Sequence, residues 1–408
     1  MTDVIVVGGG PAGMMAAATA ALYGKKVVLL EKNSRCGRKL AITGKGRCNV
    51  TNDCDETAFL QNVPTNPKFL YSVIRAFGTQ DTKDWFEGRG VALKTERGNR
   101  VFPQSDRAQD IVEAMVRACK ESGVEIRECE AEDLLCENGS VCGVLCSGGQ
   151  RCLSRSVIVA TGGASYPVTG STGDGYRFAE QVGHTVTERK PSLVPLVSDS
   201  EDCRDMQGLS LRNVTVSLWD KRMKKKLFSE LGEMLFTHYG MSGPLILSAS
   251  SLIRTFEPDR YEIQIDLKPG LDDKQLDARI LRDFSKYANR DFINALSDLL
   301  PKKMIPIIVY RSRIPAFTKV NSITKVQRRA LFEQIRCFSV PVDGFRPIEE
   351  AIVTAGGVSC REINPRTMES KLCPGLYFAG EVLDVDGYTG GFNLQIAFST
   401  GYAEGSSC

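Results

Sequence analysis

The sequence predicts an α/β chain in which a dinucleotide-binding domain, built from both ends, is interrupted by a β-rich insert with a small helical portion. Three observations carry that expectation. Residues 4–13 run from a short apolar strand straight into Gly8-x-Gly10-x-x-Gly13. Residues 375–401 return to similar text, with Gly375-Leu-Tyr-Phe-Ala-Gly-Glu381 as a strand ending in Gly-acid and Gly390-Gly-Phe-Asn-Leu-Gln395 opening a helix. Between them, from Pro191-Ser-Leu-Val-Pro195 onward, short alternating strands such as 214–218 and 261–266 take over. The expected division is 1–190 and 335–408 for the dinucleotide domain, with 191–334 inserted.

The first segment is informative because of its setting. Gly8 allows a tight turn, Gly10 lets the backbone approach a pyrophosphate, and Gly13 lets the helix lie close to the strand. With Pro11 and Ala12 these residues form the start of a helix whose amides can face phosphate. Glu31 ends the second strand, 18 residues after Gly13. An acid there accepts hydrogen bonds from a ribose 2′-hydroxyl, which favours FAD or NAD over a phosphorylated ribose.

A Gly- and Arg-rich loop, 36–52, follows. From Lys32 to Asn52 there are six bases and no acid. Lys32, Arg38, Lys39, Arg47, Cys48 and Asn49 are therefore candidates to wrap the diphosphate and the far end of a cofactor. Helices are expected over 66–88 and 107–122, the latter with Ile111, Met115 and Ala118 on one face. A strand at 124–127 leads into hairpins up to Arg151, where Ala131 is a further candidate contact. The apolar run 157–163 reads as a buried strand whose closing turn offers Thr161, Gly162 and Gly163. In the insert, Leu276, Ile280 and Phe284, then Phe292, Leu296 and Leu299, fall at helical spacing.

Composition narrows the class. At 408 residues the chain exceeds one ordinary core, and 42% apolar with 25% charged residues is globular. Apolar runs are broken well before the roughly 18 residues a membrane helix needs. Asp3 stands where a signal peptide would be basic, so a cytoplasmic protein without targeting segment or membrane partner is expected. Fourteen cysteines contain no C-x-x-C pair, and only His184 and His238 accompany them, so no metal or cluster site is expected. Net charge is +3, yet residues 301–332 carry eight bases and no acid. That stretch is either a polyanion contact or a solvated helix face.

The C-terminal text favours flavin. In flavoproteins of the glutathione-reductase type, a strand ending Ala-Gly-Asp sets a carboxylate on the ribityl chain, and the next helix aims its N-terminus at the isoalloxazine. Gly380 and Glu381, with Gly391, Phe392, Asn393, Leu394 and Gln395, fit that arrangement, Glu replacing the usual Asp. No second fingerprint exists, so a nicotinamide would bind only transiently.

At these residues the chain resembles the BaiN-like (YhiN-like, aminoacetone-oxidase-like) NAD(P)/FAD-dependent oxidoreductases. The matching stretches are 37–52, Arg100-Val-Phe-Pro103, 160–175, Leu235-Phe-Thr-His-Tyr-Gly-Met-Ser-Gly-Pro244, Val353-Thr-Ala-Gly-Gly-Val358 and 380–387. The resemblance implies bound FAD, a two-dinucleotide-binding-type FAD domain to which Gly357 also contributes, and NAD(P)H as transient electron donor. It also implies reduction of a conjugated C=C bond by hydride from flavin N5. The substrate would be a uridine in 23S ribosomal RNA, giving dihydrouridine, or a steroid-type enone. An oxygen-using oxidase of amino ketones or amino acids is one alternative. A non-catalytic flavoprotein binding RNA or protein is another.

Two residues are candidate proton donors. Cys48, between Arg47 and Asn49, sits where basic neighbours would lower a thiol pKa, or else is a packing residue. His238, in Thr-His-Tyr-Gly of the insert, would protonate substrate or hold a carbonyl, or is structural. Tyr166 and Tyr388, beside glycine turns, are weaker candidates. Oligomeric state has no signature.

Overall fold

The computed structural model describes residues 2–253 and 255–408. The chain divides into two compact units, Met1–Ser192 with Pro347–Cys408, and Leu193–Arg346. The second boundary falls later than the expected 334/335. Its cause is the strand Phe338–Val342, which pairs with Tyr261–Asp266 and so completes the insert's sheet.

The first unit is a Rossmann-type layered α/β body. Strands Thr2–Val7, Val27–Glu31, Glu125–Glu128, the second half of Gln150–Val159, and Leu376–Phe378 pair in parallel. Val4 to Val7 and Val27 to Leu30 are all buried, as parallel strands covered on both faces require. The first half of Gln150–Val159 instead continues an antiparallel meander with Ser140–Cys146 and Ala131–Glu137.

Helix Pro11–Leu22 is almost entirely small residues and lies against helix Phe392–Ser407. The contact is backbone-close: a methyl added at Gly401 would sit 2.3 Å from the Ala12 carbonyl oxygen. Glu404 lies on the same helix, fully buried, with neither carboxylate oxygen partnered. Burial holds its pKa well above the usual 4.5. The folded state therefore binds the proton more tightly than the unfolded chain. Stability from this group is fully present below about pH 4.5 and is lost as pH rises toward the folded pKa. In thermal melts from pH 5 to 9, Glu404→Gln should gain on the parent by about 1.4 kcal/mol per pH unit until that pKa is passed. A constant difference would mean the carboxyl is not held neutral.

Two local expectations change. The stretch expected to be helical over 66–88 consists of a 3-10 turn followed by helices Tyr71–Ala76 and Thr79–Glu87, broken at Phe77-Gly78. The basic loop after Glu31 contains a helix, Arg38–Gly46, whose regular turn ends at Thr43. Leu40 is buried on it, and this segment packs against helix Ala108–Glu121.

The second unit is a seven-stranded antiparallel sheet dominated by the hairpin Ser210–Asp220 with Lys225–Thr237. The Lys-rich run after Asp220 is that hairpin's exposed tip. Helices Asp273–Lys286, Ile305–Arg311 and Lys325–Arg336 add Leu276, Ile280, Ile308, Leu331 and Ile335 to one core. No helix among the described residues is long and apolar enough to cross a membrane.

Candidate cofactor cradle

The fingerprint glycines have different physical reasons. At Gly13 a Cβ would lie 1.9 Å from the Gly8 carbonyl oxygen, so the fold itself demands glycine. At Gly10 the nearest atom to such a Cβ is 4.0 Å away and φ is −79°, so nothing in the protein excludes a side chain. Glycine at that position leaves room for a ligand's backbone approach. Pro11 occupies the first helical turn and Ala12 is buried beneath it.

Glu31 stands at the strand end with its carboxylate oriented by protein donors. One oxygen accepts from Gly9 N–H at 2.8 Å, and the other from Asn33 N–H at 2.8 Å and Asn33 Nδ2 at 2.6 Å. Arg38 donates to Asn33 Oδ1 at 2.5 Å, which fixes the amide orientation. Lys32 is paired with Asp174 at 2.6 Å and bonds Thr172.

A second polar knot joins the two ends of the unit. Lys39 Nζ donates to Glu381 Oε2 at 2.8 Å and to Ser165 Oγ at 2.7 Å. Glu381 Oε1 accepts from Thr354 N–H at 2.8 Å and Ser165 Oγ at 3.0 Å. Gly163 packs against this knot: a Cβ there would meet Thr354 Oγ1 at 2.5 Å and Glu381 Oε1 at 2.8 Å. Asn33, Ser165 and Thr354 were not among the sequence candidates. Ser165 and Thr354 lie inside the Ala160–Gly175 and Val353–Val358 motifs, but only the fold reveals their shared partner.

Several expected contacts are spent on the protein. Arg47 pairs with Glu96 and Asp106, both at 2.5 Å, and lies over the Phe102 ring at 4.2 Å; these carboxylates raise its pKa. Asn393 holds the backbone of Gly387 in both directions, at 2.8 and 2.7 Å. Gln395 is fully buried, accepting from Thr51 Oγ1 at 2.6 Å and donating to Phe77 O and Ser399 Oγ. Phe392 is buried against the Phe59 ring and Leu394 packs in the core, so all four side chains brace the helix. What this helix start can offer a ligand is its first-turn amides. Gly391 caps it, pressed to the Thr51 backbone. Ala131 is buried opposite Cys146 at the start of its strand. Gly162, Gly357 and Gly380 all have positive φ at turns of this unit.

The expectation of an activated Cys48 is overturned. Its side chain is fully buried, packed with Leu40 and Val50, and desolvation pushes its pKa up to about 12. The basic neighbours in sequence point elsewhere, Arg47 into its carboxylates. His238 lies in the second unit, exposed in the turn before Gly240–Ser242, its ring edge-on to Tyr239 at 4.9 Å. His184 is buried between Glu362 and Ser370. Among the described residues no group of ligands is arranged to hold a metal.

The donor set fits a flavin dinucleotide. Besides Gly10 and Glu31, two polar atoms at cradle positions are buried without a protein partner: Asn49 Oδ1 and Thr161 Oγ1. An unsatisfied buried acceptor or hydroxyl is costly unless a ligand completes it.

Residues 2–407 match the family described as the HI0933-like protein Rossmann domain. The chain belongs to that family. Its HI0933-like relatives include the ribosomal RNA dihydrouridine synthase of Escherichia coli, 32% identical over 98% of this chain and 96% of that one. They also include the 3-dehydro-bile acid delta(4,6)-reductase of Clostridium scindens, 30% identical over 99% and 98%. The fold is similar to that of 3-ketosteroid delta1-dehydrogenase from Sterolibacterium denitrificans, with TM-score 0.52, 13% identity and coverage of 99% and 98%. This HI0933-like chain is an FAD-dependent oxidoreductase.

Proposed function

We propose that the protein reduces the C5=C6 bond of a uridine in ribosomal RNA, with electrons supplied by NAD(P)H. When bound, FAD would supply the hydride chemistry needed to reduce a C=C bond conjugated to a carbonyl. Glu31 and the first-turn amides of helices Pro11–Leu22 and Phe392–Ser407 hold the cofactor, completed by Asn49 and Thr161.

One observation supports a nucleic-acid substrate. In the helical part of the second unit, Tyr310 and Phe317 are 83% and 79% exposed. Exposed rings among bases suit stacking on unpaired nucleotides. Nearby in sequence, Lys302, Arg313 and Lys325 are exposed and make no ion pair with described residues, whereas Arg311, Lys319, Arg328 and Arg329 are paired with Asp202, Asp291, Asp277 and Glu333. The available charge is thus smaller than the sequence count of eight.

Deleting the gene should abolish one dihydrouridine in the large-subunit RNA, and wild-type protein should restore it. In binding assays, Tyr310→Ala with Phe317→Ala should weaken RNA affinity by roughly 1–3 kcal/mol per lost stack. Arg313→Ala should lower the salt slope by about 0.7–0.9. An unchanged dihydrouridine map, with turnover of a 3-oxo-Δ4 steroid by the purified protein, would favour the small-enone reading, which the bile-acid relative supports.

A further inference from the structure

Outside the cradle, the antiparallel meander gathers three cysteines. Cys146 ends strand Ser140–Cys146 and Cys152 lies just inside Gln150–Val159, across the tight Ser147–Gly149 turn. Their sulfurs are 3.7 Å apart. Cys129 stands two residues before Ala131, the register partner of Cys146. No described cluster is arranged for a metal, so coordination does not explain the grouping.

The two facing thiols differ in surroundings. Cys146 is fully buried, while Cys152 retains 9% exposure. Arg127, on the adjoining strand Glu125–Glu128, donates from Nη1 to Cys152 Sγ at 3.5 Å. Arg127 is itself held by Glu125 at 2.6 Å. Cys152, the less deeply buried of the two, has a cationic donor beside its sulfur. The other is shielded and within reach to react second. A disulfide needs about 2.0 Å between sulfurs, so they must close by under 2 Å.

We infer that Cys152 and Cys146 form an oxidisable dithiol site that reacts with hydroperoxides. The Cys152 sulfur attacks the peroxide O–O bond, becomes a sulfenic acid and releases water from hydrogen peroxide, or an alcohol from an organic hydroperoxide. Cys146 Sγ then attacks Cys152 Sγ, forming the S–S bond and releasing a second water. Two thiols lose two electrons and two protons, and one peroxide is reduced. Arg127 keeps a guanidinium donor beside the attacking sulfur.

The site adjoins the ribose-facing end of the cradle through the backbone. Cys129 N–H donates to the Glu31 carbonyl at 2.9 Å, and Arg127 pairs in register with Leu30. Cys146 is the register partner of Ala131.

The test uses the flavin-loaded full chain, treated with a few equivalents of hydrogen peroxide, then alkylated and mapped by mass spectrometry. A Cys146–Cys152 linked peptide should be the first product, formed before oxidation of exposed Cys136. Cys146→Ser should instead accumulate a dimedone-trapped Cys152 sulfenic acid or a Cys129–Cys152 link. Arg127→Gln, at a partly exposed side chain, should slow the reaction several-fold. Oxidation of Cys136 or other thiols while Cys146 and Cys152 remain alkylatable would overturn the inference. That result in wild-type protein needs no variant to fold.

Discussion

Gly10→Ala should yield a folded, colourless protein, whereas Gly13→Ala should fail to give a stable fold. At Gly10 the added methyl meets no protein atom closer than 4.0 Å and the backbone angle suits any residue. Circular dichroism and the apoprotein's melting temperature should stay near those of wild-type apoprotein. The methyl would occupy space the cofactor's pyrophosphate needs, so FAD released on denaturation should fall at least tenfold, about 1.4 kcal/mol or more in binding. At Gly13 the methyl would lie 1.9 Å from the Gly8 carbonyl oxygen. Relief requires the helix to lift off the strand, and most of the expressed protein should be insoluble. A yellow Gly10→Ala protein with full flavin content would show that the phosphates lie elsewhere.

Lys39→Met should destabilise the protein strongly, and Glu381→Gln less. Lys39 and Glu381 are each about one-fifth exposed, 21% and 19%. The loss on removing the lysine should fall between the roughly 1 kcal/mol of an exposed pair and the 3–5 kcal/mol of a buried one. Methionine leaves the Glu381 carboxylate with only Ser165 and the Thr354 amide as partners. Glutamine at 381 removes the charge that needed compensation and can still accept from Thr354 N–H. Chemical denaturation of both variants, flavin-loaded and flavin-free, checks the order. Equal losses would mean the ion pair adds nothing beyond its hydrogen bonds.

The Rossmann body was legible because its signals are local. Strand, glycines, helix and terminal acid lie within 31 residues, and Gly8 and Gly13 have steric reasons close by in space. The later boundary at 346/347 was hidden because pairing of Phe338–Val342 with Tyr261–Asp266 is a long-range choice that alternation alone does not express. Cys48 misled for a related reason. Neighbouring bases in sequence suggested a positive environment, but Arg47 turns to Glu96 and Asp106 while the thiol turns into the core. The Lys39–Ser165–Glu381–Thr354 knot joins positions up to 342 residues apart, so no spacing rule could reveal it.

The glycine-to-alanine contact between helices Phe392–Ser407 and Pro11–Leu22 has a consequence for synthesis. The first helix emerges from the ribosome with an apolar, alanine-rich face whose partner is encoded some 380 codons later. At about 5–20 residues per second, that face waits roughly 20–80 s for its cover. The insert, contiguous in sequence, can complete its own core during that interval. Slowing translation should therefore lengthen the exposure of that face.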